Sequence, residues 1–200
     1  MHQELVDYGK PVLIGESGLN AAPPDGSTLE TAARAAVGVR HAIWAGLVSG
    51  AMDARALWWE DSVGIYLPNL GMSYVRQYAN ADLAASRFAS SVNFTGFAPL
   101  EAQVSSGVVG AALGNATSAI GWFRDTGCEP PDWPLTSAVH GQTVTLTVPG
   151  SAPGWRVDFY ETATGTTITS SVVATRQGNS VTVALPDFTD DIAFKMTALP

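Results

Sequence analysis

Two hundred residues carrying a formal net charge of -8 set the first limits on this chain. Acids outnumber bases throughout, nine to six over residues 1–98 and nine to four over 99–200, so there is no basic patch of the kind that binds nucleic acid. No apolar run is long enough to span a membrane, and Cys128, the one cysteine, excludes an internal disulfide and argues against a cysteine-based metal site.

In chain order, residues 1–9 (MHQELVDYG) read as the end of a helix stopped by Gly9, with no signal-peptide core and no clear helix start. Residues 10–18 (KPVLIGESG) follow. Val12 to Ile14 form an unalternating aliphatic run between Pro11 and Gly15, the pattern of a short buried strand. Glu16 stands at its C-terminal tip, where parallel sheets present residues to substrates. A strand-end glutamate that caps the next loop or pairs with an arginine fits the same pattern. The Pro- and Gly-containing stretch 19–26 reads as a loop. Ser27 and Glu30 form a capping box for a helix over about 28–48, closed near Gly50. On it Leu29, Ala33, Ala36, Val37, Arg40, Ile43, Trp44 and Leu47 recur at helical spacing, and Gly38 and Gly46 suit close approach to a sheet. A metal-binding His41 would need a ligand four residues away, and Val37 and Ala45 supply none, so His41 reads as an ordinary polar or core histidine.

Residues 52–59 read as a second strand, which ends in Trp58-Trp59 and is followed by Glu60-Asp61; Arg55 within it is a candidate partner for a buried carboxylate. A strand, a helix and a strand joined this way are parallel, so Glu16 and the Trp58–Asp61 cluster fall at the same end of the sheet. A loop over 62–69 places Tyr66 and Asn69 within reach of a ligand, and packing of the loop accounts for them better. A helix over about 72–90 carries one stripe of Tyr74, Tyr78, Ala81, Ala85 and Phe88, read as core.

At 93–99 the helical pattern gives way to strands, expected at about 102–104, 107–113, 117–124, 142–148, 154–161, 167–174, 180–185 and 191–198. Alternation is clear at Val144, Leu146 and Val148, at Val181, Val183 and Leu185, and at Ile192, Phe194 and Met196. Turns fall at Ala163-Thr164-Gly165 and Gly178-Asn179, and 125–137, with three prolines and Cys128, reads as a long loop. Many short antiparallel strands imply a β-sandwich. Trp122 and Trp155 alternate with polar neighbours, which favours the sandwich core over a sugar-stacking platform.

"KPVLIGESG" followed by "ALWWED" resembles the last two strands of a clan A glycoside hydrolase, a cellulase- or mannanase-like (β/α)8 barrel, and the resemblance covers roughly residues 1–98. It implies that Glu16 is the nucleophile and that Trp58 or Trp59 floors the sugar site; Glu60, next to the tryptophans in sequence, is a further candidate for substrate binding, with no acid/base role assigned to it. "AIGWFRD", "GWRVDFYETATG" and "LPDFTDDIAFKM" resemble the small C-terminal β-sandwich attached to many such barrels. The implied architecture is α/β plus all-β: the C-terminal portion of a (β/α)8 (TIM) barrel over 1–98, then a β-sandwich accessory domain over 99–200. A full barrel takes about 250 residues, so the chain is expected to be the C-terminal piece of a longer, secreted or extracytoplasmic protein.

The family's acid/base is a glutamate after an asparagine on the fourth strand, and no Asn-Glu pair occurs in this sequence. A retaining glycosidase needs two carboxylates about 5–5.5 Å apart, so the chain is expected to carry the nucleophile without the proton donor and to be inactive alone. No cofactor or metal is implied; the partner is a carbohydrate substrate. Unclosed barrel strands and apolar helices lead to an expectation of self-association. The competing reading is a carbohydrate-binding or structural β-sandwich module without catalysis. That reading requires an exposed aromatic row on the sandwich, whereas an enzyme origin requires a solvent-reachable Glu16 beside Trp58 or Trp59.

Overall fold

The structure, a computed structural model, describes residues 29–50, 68–129 and 137–200, without the side chains of 29–35 and 68–78. The two strands expected around 12–14 and 52–59 lie outside these residues. Helix α1 spans Leu29–Ser49 and helix α2 spans Pro68–Ala89. The first matches its expected bounds, and Gly50 ends it in the left-handed conformation (φ +80°) that a residue without Cβ adopts freely. The second begins four residues before the expected Met72 and absorbs Pro68-Asn69 from the expected loop. Proline is a breaker inside a helix, but at the first helical position its missing N–H leaves no bond unmade.

Nine strands follow: β1 (Ala98–Pro99), β2 (Ala102–Val104), β3 (Val108–Gly114), β4 (Ser118–Asp125), β5 (Thr143–Thr147), β6 (Gly154–Tyr160), β7 (Thr167–Gln177), β8 (Ser180–Ala184) and β9 (Asp191–Leu199). All pairings among them are antiparallel, in the order β1-β3-β4-β9-β6-β7-β8-β5-β2. The order folds into two layers because β7 serves both. Its residues from Thr167 to Thr175 pair with β6, and only Arg176 and Gln177 pair with β8. That crossing takes β7 three residues past its expected end at 174. A two-residue Gly178-Asn179 turn, with Gly178 at φ +62°, then starts β8.

The facing sides of the two layers supply one core. Val108, Phe123, Trp155, Val157, Phe159, Ile192, Phe194 and Met196 from the first layer meet Val144, Leu146, Val181 and Val183 from the second, all buried. Phe194 stacks on Phe123 at 5.8 Å between ring centroids and meets Phe159 edge-on at 6.2 Å. Gly121 makes room for this cluster, since a Cβ there would run into the Phe194 ring.

The other side of β3, β4 and β9 is covered by the helices. Trp44 and Val48 of α1 and Ala84, Ala85 and Phe88 of α2 pack on Leu113, Ile120, Trp122 and Ala193. Phe88 is held edge-on between Trp44 at 4.9 Å and Tyr160 at 5.1 Å. Lys195 sits over Phe88 and Tyr160 and donates to Ser91 Oγ at 2.5 Å. Strands β4 and β9 are therefore buried on both faces, which explains their runs of consecutive buried residues. Trp122 consequently leaves the position expected of it. It belongs to the helix-facing cluster, while Trp155 lies in the sandwich core.

Candidate functional site

Glu16, Trp58, Trp59 and Glu60, with Arg55 and Tyr66, lie outside the described residues. What is described is helix α1, which joins the two motifs in sequence, and the way it is fastened to the sheet.

From Ala35 to Ser49, Arg40 and His41 are the only charged or titratable residues in an otherwise apolar helix. Such a pair on a buried helix needs partners. Arg40 Nε donates to Asp191 Oδ1 at 2.9 Å, and Nη2 lies 2.8 Å from the same oxygen and 3.3 Å from Asp190 Oδ2. The Asp191 side chain is fully buried and accepts two further bonds, from Trp122 Nε1 at 2.7 Å and Thr162 Oγ1 at 2.8 Å. Thr162 is also tied to the helix through its carbonyl, which accepts from Trp44 Nε1 at 3.1 Å. One carboxylate thus links α1, β4, β9 and the β6–β7 loop.

The backbone presents this carboxylate by a tight turn. Asp190 has φ +64°, uncommon for a residue with a side chain, and the Asp191 N–H bonds the Thr189 carbonyl across it at 2.8 Å. The Asp190 carbonyl accepts from the Asp125 N–H at 2.8 Å, which holds the turn against the end of β4.

Burial alone would raise the Asp191 carboxyl; the Arg40 guanidinium, with the His41 ring and the Trp122 indole, outweighs it and holds the group well below the usual carboxylate range. Arg40 feels burial as its largest influence, in the lowering direction, and the two aspartates reverse it, so its charge is held more firmly than in water. His41 is buried with its ring edge-on to Trp122 at 5.4 Å, in keeping with a core histidine. Its Nε2 is 3.7 Å from Asp191 Oδ1, beyond hydrogen-bond reach, and among the described residues neither ring nitrogen has a hydrogen-bond partner. Cys128 is buried, and burial first, with Asp190 and Asp191 adding to it, pushes its thiol up to about 11. That is the environment of an unreactive structural thiol.

This cluster was missed in the sequence because its partners are about 150 positions apart. The available signal was Arg40-His41 alone in an apolar helix, set against Asp190-Asp191 opening an apolar strand.

The sandwich presents no sugar platform among the described residues. Trp122 and Trp155 are buried, and the exposed large apolar side chains are Leu83, Phe94, Val104, Val109, Ile168 and Val173, of which one is aromatic. An open groove crosses one end of the sandwich, lined by Leu100, Glu101, Asn115, Thr147, Val148 and Asn179 among others, with no aromatic side chain in its wall. Asn115 is already occupied there. Its Oδ1 accepts from the Thr117 and Ser118 N–H groups at 2.9 Å, and its Nδ2 donates to the Thr95 carbonyl at 3.0 Å.

No family model matches this sequence, and no curated protein matches it significantly. Among solved structures, the chain is similar to two GH30 xylanases and to a fucosidase. The enzyme from Clostridium papyrosolvens aligns with 98% of this chain and 44% of its own, at 16% identity and a TM-score of 0.49. The GH30 subfamily 8 xylanase from Clostridium acetobutylicum aligns with 96% of this chain and 44% of its own, at 14% identity and a TM-score of 0.45. An α-L-fucosidase from Paenibacillus thiaminolyticus aligns with 74% of this chain and 20% of its own, at 10% identity and a TM-score of 0.35. The chain spans less than half the length of both xylanases.

Proposed function

We propose that this chain is the C-terminal part of a retaining glycoside hydrolase that cleaves O-glycosidic bonds in a β-linked polysaccharide or oligosaccharide. In this reading residues 1–98 are the last two strand–helix units of a (β/α)8 barrel and 99–200 are its accessory sandwich. What supports this reading is the order of two sequence motifs, KPVLIGESG with Glu16 and ALWWED with Trp58-Trp59, with the long helix α1 between them.

Glu16, ionised, attacks the anomeric carbon and forms a glycosyl-enzyme that water then hydrolyses. The leaving oxygen must be protonated by a second carboxyl held neutral. That group is absent from the motifs of this chain, so the chain by itself binds without turning over. Trp58 or Trp59 faces the C–H side of a sugar ring and excludes water, and Glu60 contacts its hydroxyls. The sandwich acts as a brace, and the support for this is its fastening to α1 through Asp191, Arg40 and Thr162.

The test uses the chain alone and the chain joined in frame to upstream strand–helix units that carry an Asn-Glu. The chain alone is expected to leave xylan, β-glucan and mannan intact, and the joined protein to hydrolyse one of them with retention. Glu16→Gln should then lower the rate by several orders of magnitude, and a 2-deoxy-2-fluoro glycosyl fluoride should label the peptide containing Glu16. Hydrolysis that survives Glu16→Gln undiminished overturns the assignment.

A further inference from the structure

Two stretches of this chain have the form Asn-X-Ser/Thr with X other than proline: Asn93-Phe94-Thr95 and Asn115-Ala116-Thr117. This is the acceptor pattern for N-linked glycans, which are bulky and belong on surface loops. The pattern alone treats the two asparagines alike. The fold separates them.

Asn93 lies in the connection between α2, which ends at Ala89, and β1, which starts at Ala98. Residues 92–94 belong to no helix or strand, and Asn93, Phe94 and Thr95 are all exposed. A Cβ added at Gly96 would meet no described residue within 4 Å, so the connection stands clear of the sheet there. The Asn93 side chain forms an Asx turn, in which its Oδ1 accepts from the Thr95 N–H at 3.1 Å. That bond uses the carboxamide oxygen and leaves out Nδ2, the atom to which a sugar is joined. It also holds Thr95 beside the carboxamide.

Asn115 is the contrast. It is half-buried, its Oδ1 accepts from the Thr117 and Ser118 N–H groups at 2.9 Å, and its Nδ2 donates to the Thr95 carbonyl at 3.0 Å. Space beside it is tight, since a Cβ added at Gly150 would stand 2.9 Å from the Ala116 Cβ. Both ends of the Asn115 carboxamide therefore hold the fold together, and its nitrogen is aimed at backbone.

We propose that Asn93 is an N-glycosylation site of the folded protein and that Asn115 is not. The donor is an oligosaccharide joined through pyrophosphate to a lipid. Asn93 Nδ2 bonds to the anomeric carbon of the first sugar, and the bond from that carbon to the pyrophosphate oxygen breaks. The lipid pyrophosphate leaves with the electron pair, and Nδ2 gives up one proton to solvent. The glycan then stands at the junction of α2 and the sandwich, beside Phe94, which is 39% exposed. The proposal is independent of any catalytic role.

The test incubates the folded chain with an oligosaccharyltransferase and a lipid-pyrophosphate-linked oligosaccharide. A synthetic peptide of residues 91–97 in the same mixture serves as the unfolded acceptor. The mass of the chain should rise from 20.9 kDa by one oligosaccharide, and peptide sequencing by mass spectrometry should find it on Asn93. Asn93→Gln and Thr95→Ala, both at exposed positions, should abolish uptake with unchanged circular dichroism. Thr117→Ala, which removes the second acceptor pattern, should leave one oligosaccharide per chain. A chain that keeps its own mass while the peptide is modified overturns the proposal. So does oligosaccharide found on Asn115, uptake that persists in Thr95→Ala, or uptake lost in Thr117→Ala.

Discussion

Strands β4 and β9 are buried on both faces, and the two faces are held by different physics. Toward the second layer they meet a core of Phe123, Phe159, Phe194, Trp155 and valines, where attraction is non-directional and roughly proportional to the apolar area removed from water. Toward the helices, Trp122 of β4 shares an apolar cluster with Trp44 and Phe88, and its indole donates to one fully buried carboxylate, Asp191. A helix on an apolar sheet can slide or rotate at modest cost. A helix whose arginine must meet Asp191, while Trp44 meets Thr162, has one register. The difference teaches that the sandwich core supplies cohesion, whereas the Asp191 cluster supplies alignment of α1.

The sharpest way to break this comparison is Asp191→Ala. It leaves Arg40 buried beside Asp190 alone and strips Trp122 and Thr162 of their acceptor. Removing one partner of a buried pair costs about 3–5 kcal/mol, readable as a lower urea midpoint. An effect near that of an exposed substitution would reduce the cluster to decoration.

Acid provides the next test. The Asp191 carboxyl has a folded value below its unfolded one, so its contribution is complete above the unfolded value, about 3.9. It is lost as pH falls from there toward the lower folded value. Stability measured by urea titration should therefore fall below about pH 4, and Asp191→Asn should be less stable at neutral pH with a flatter acid limb. An equally steep limb in Asp191→Asn would assign the slope to other carboxylates.

The smallest expected effect separates two tryptophans of opposite faces. Trp122→Phe removes a bond to a charged acceptor, which costs about 1.5–3 kcal/mol beyond the lost ring volume. Trp155 is fully buried, and its Nε1 has no hydrogen-bond partner among the described residues. Trp155→Phe loses similar volume but also relieves an unsatisfied donor, an offset of about 1–3 kcal/mol. Trp155→Phe should be the milder change, and equal costs would erase the distinction between the faces.

The strands were legible because alternation is local. Val144-Leu146-Val148 and Val181-Val183-Leu185 announce one buried side each, and β5 and β8 lie where that pattern places them. The glycines at 50, 165 and 178 mark a helix end and two turns, each at positive φ. Alternation was a poorer guide in β4, where a second buried face hides in the same eight residues and sends Trp122 to the helices. The candidate site was legible only as a motif pair. Its support was not, because Arg40 has no sequence neighbour that explains it.

The amino-acid order by itself determined most of the strands from β2 to β9 and the turns at Gly165 and Gly178, and where α1 ends, because those choices rest on side-chain period and on residues that tolerate special backbone angles. Only the tertiary structure decided which face of β4 looks at which partner, where β7 passes from one layer to the other, and that Asp191 receives Arg40. Those outcomes depend on groups distant in sequence whose attraction exists only once burial has removed the competing water.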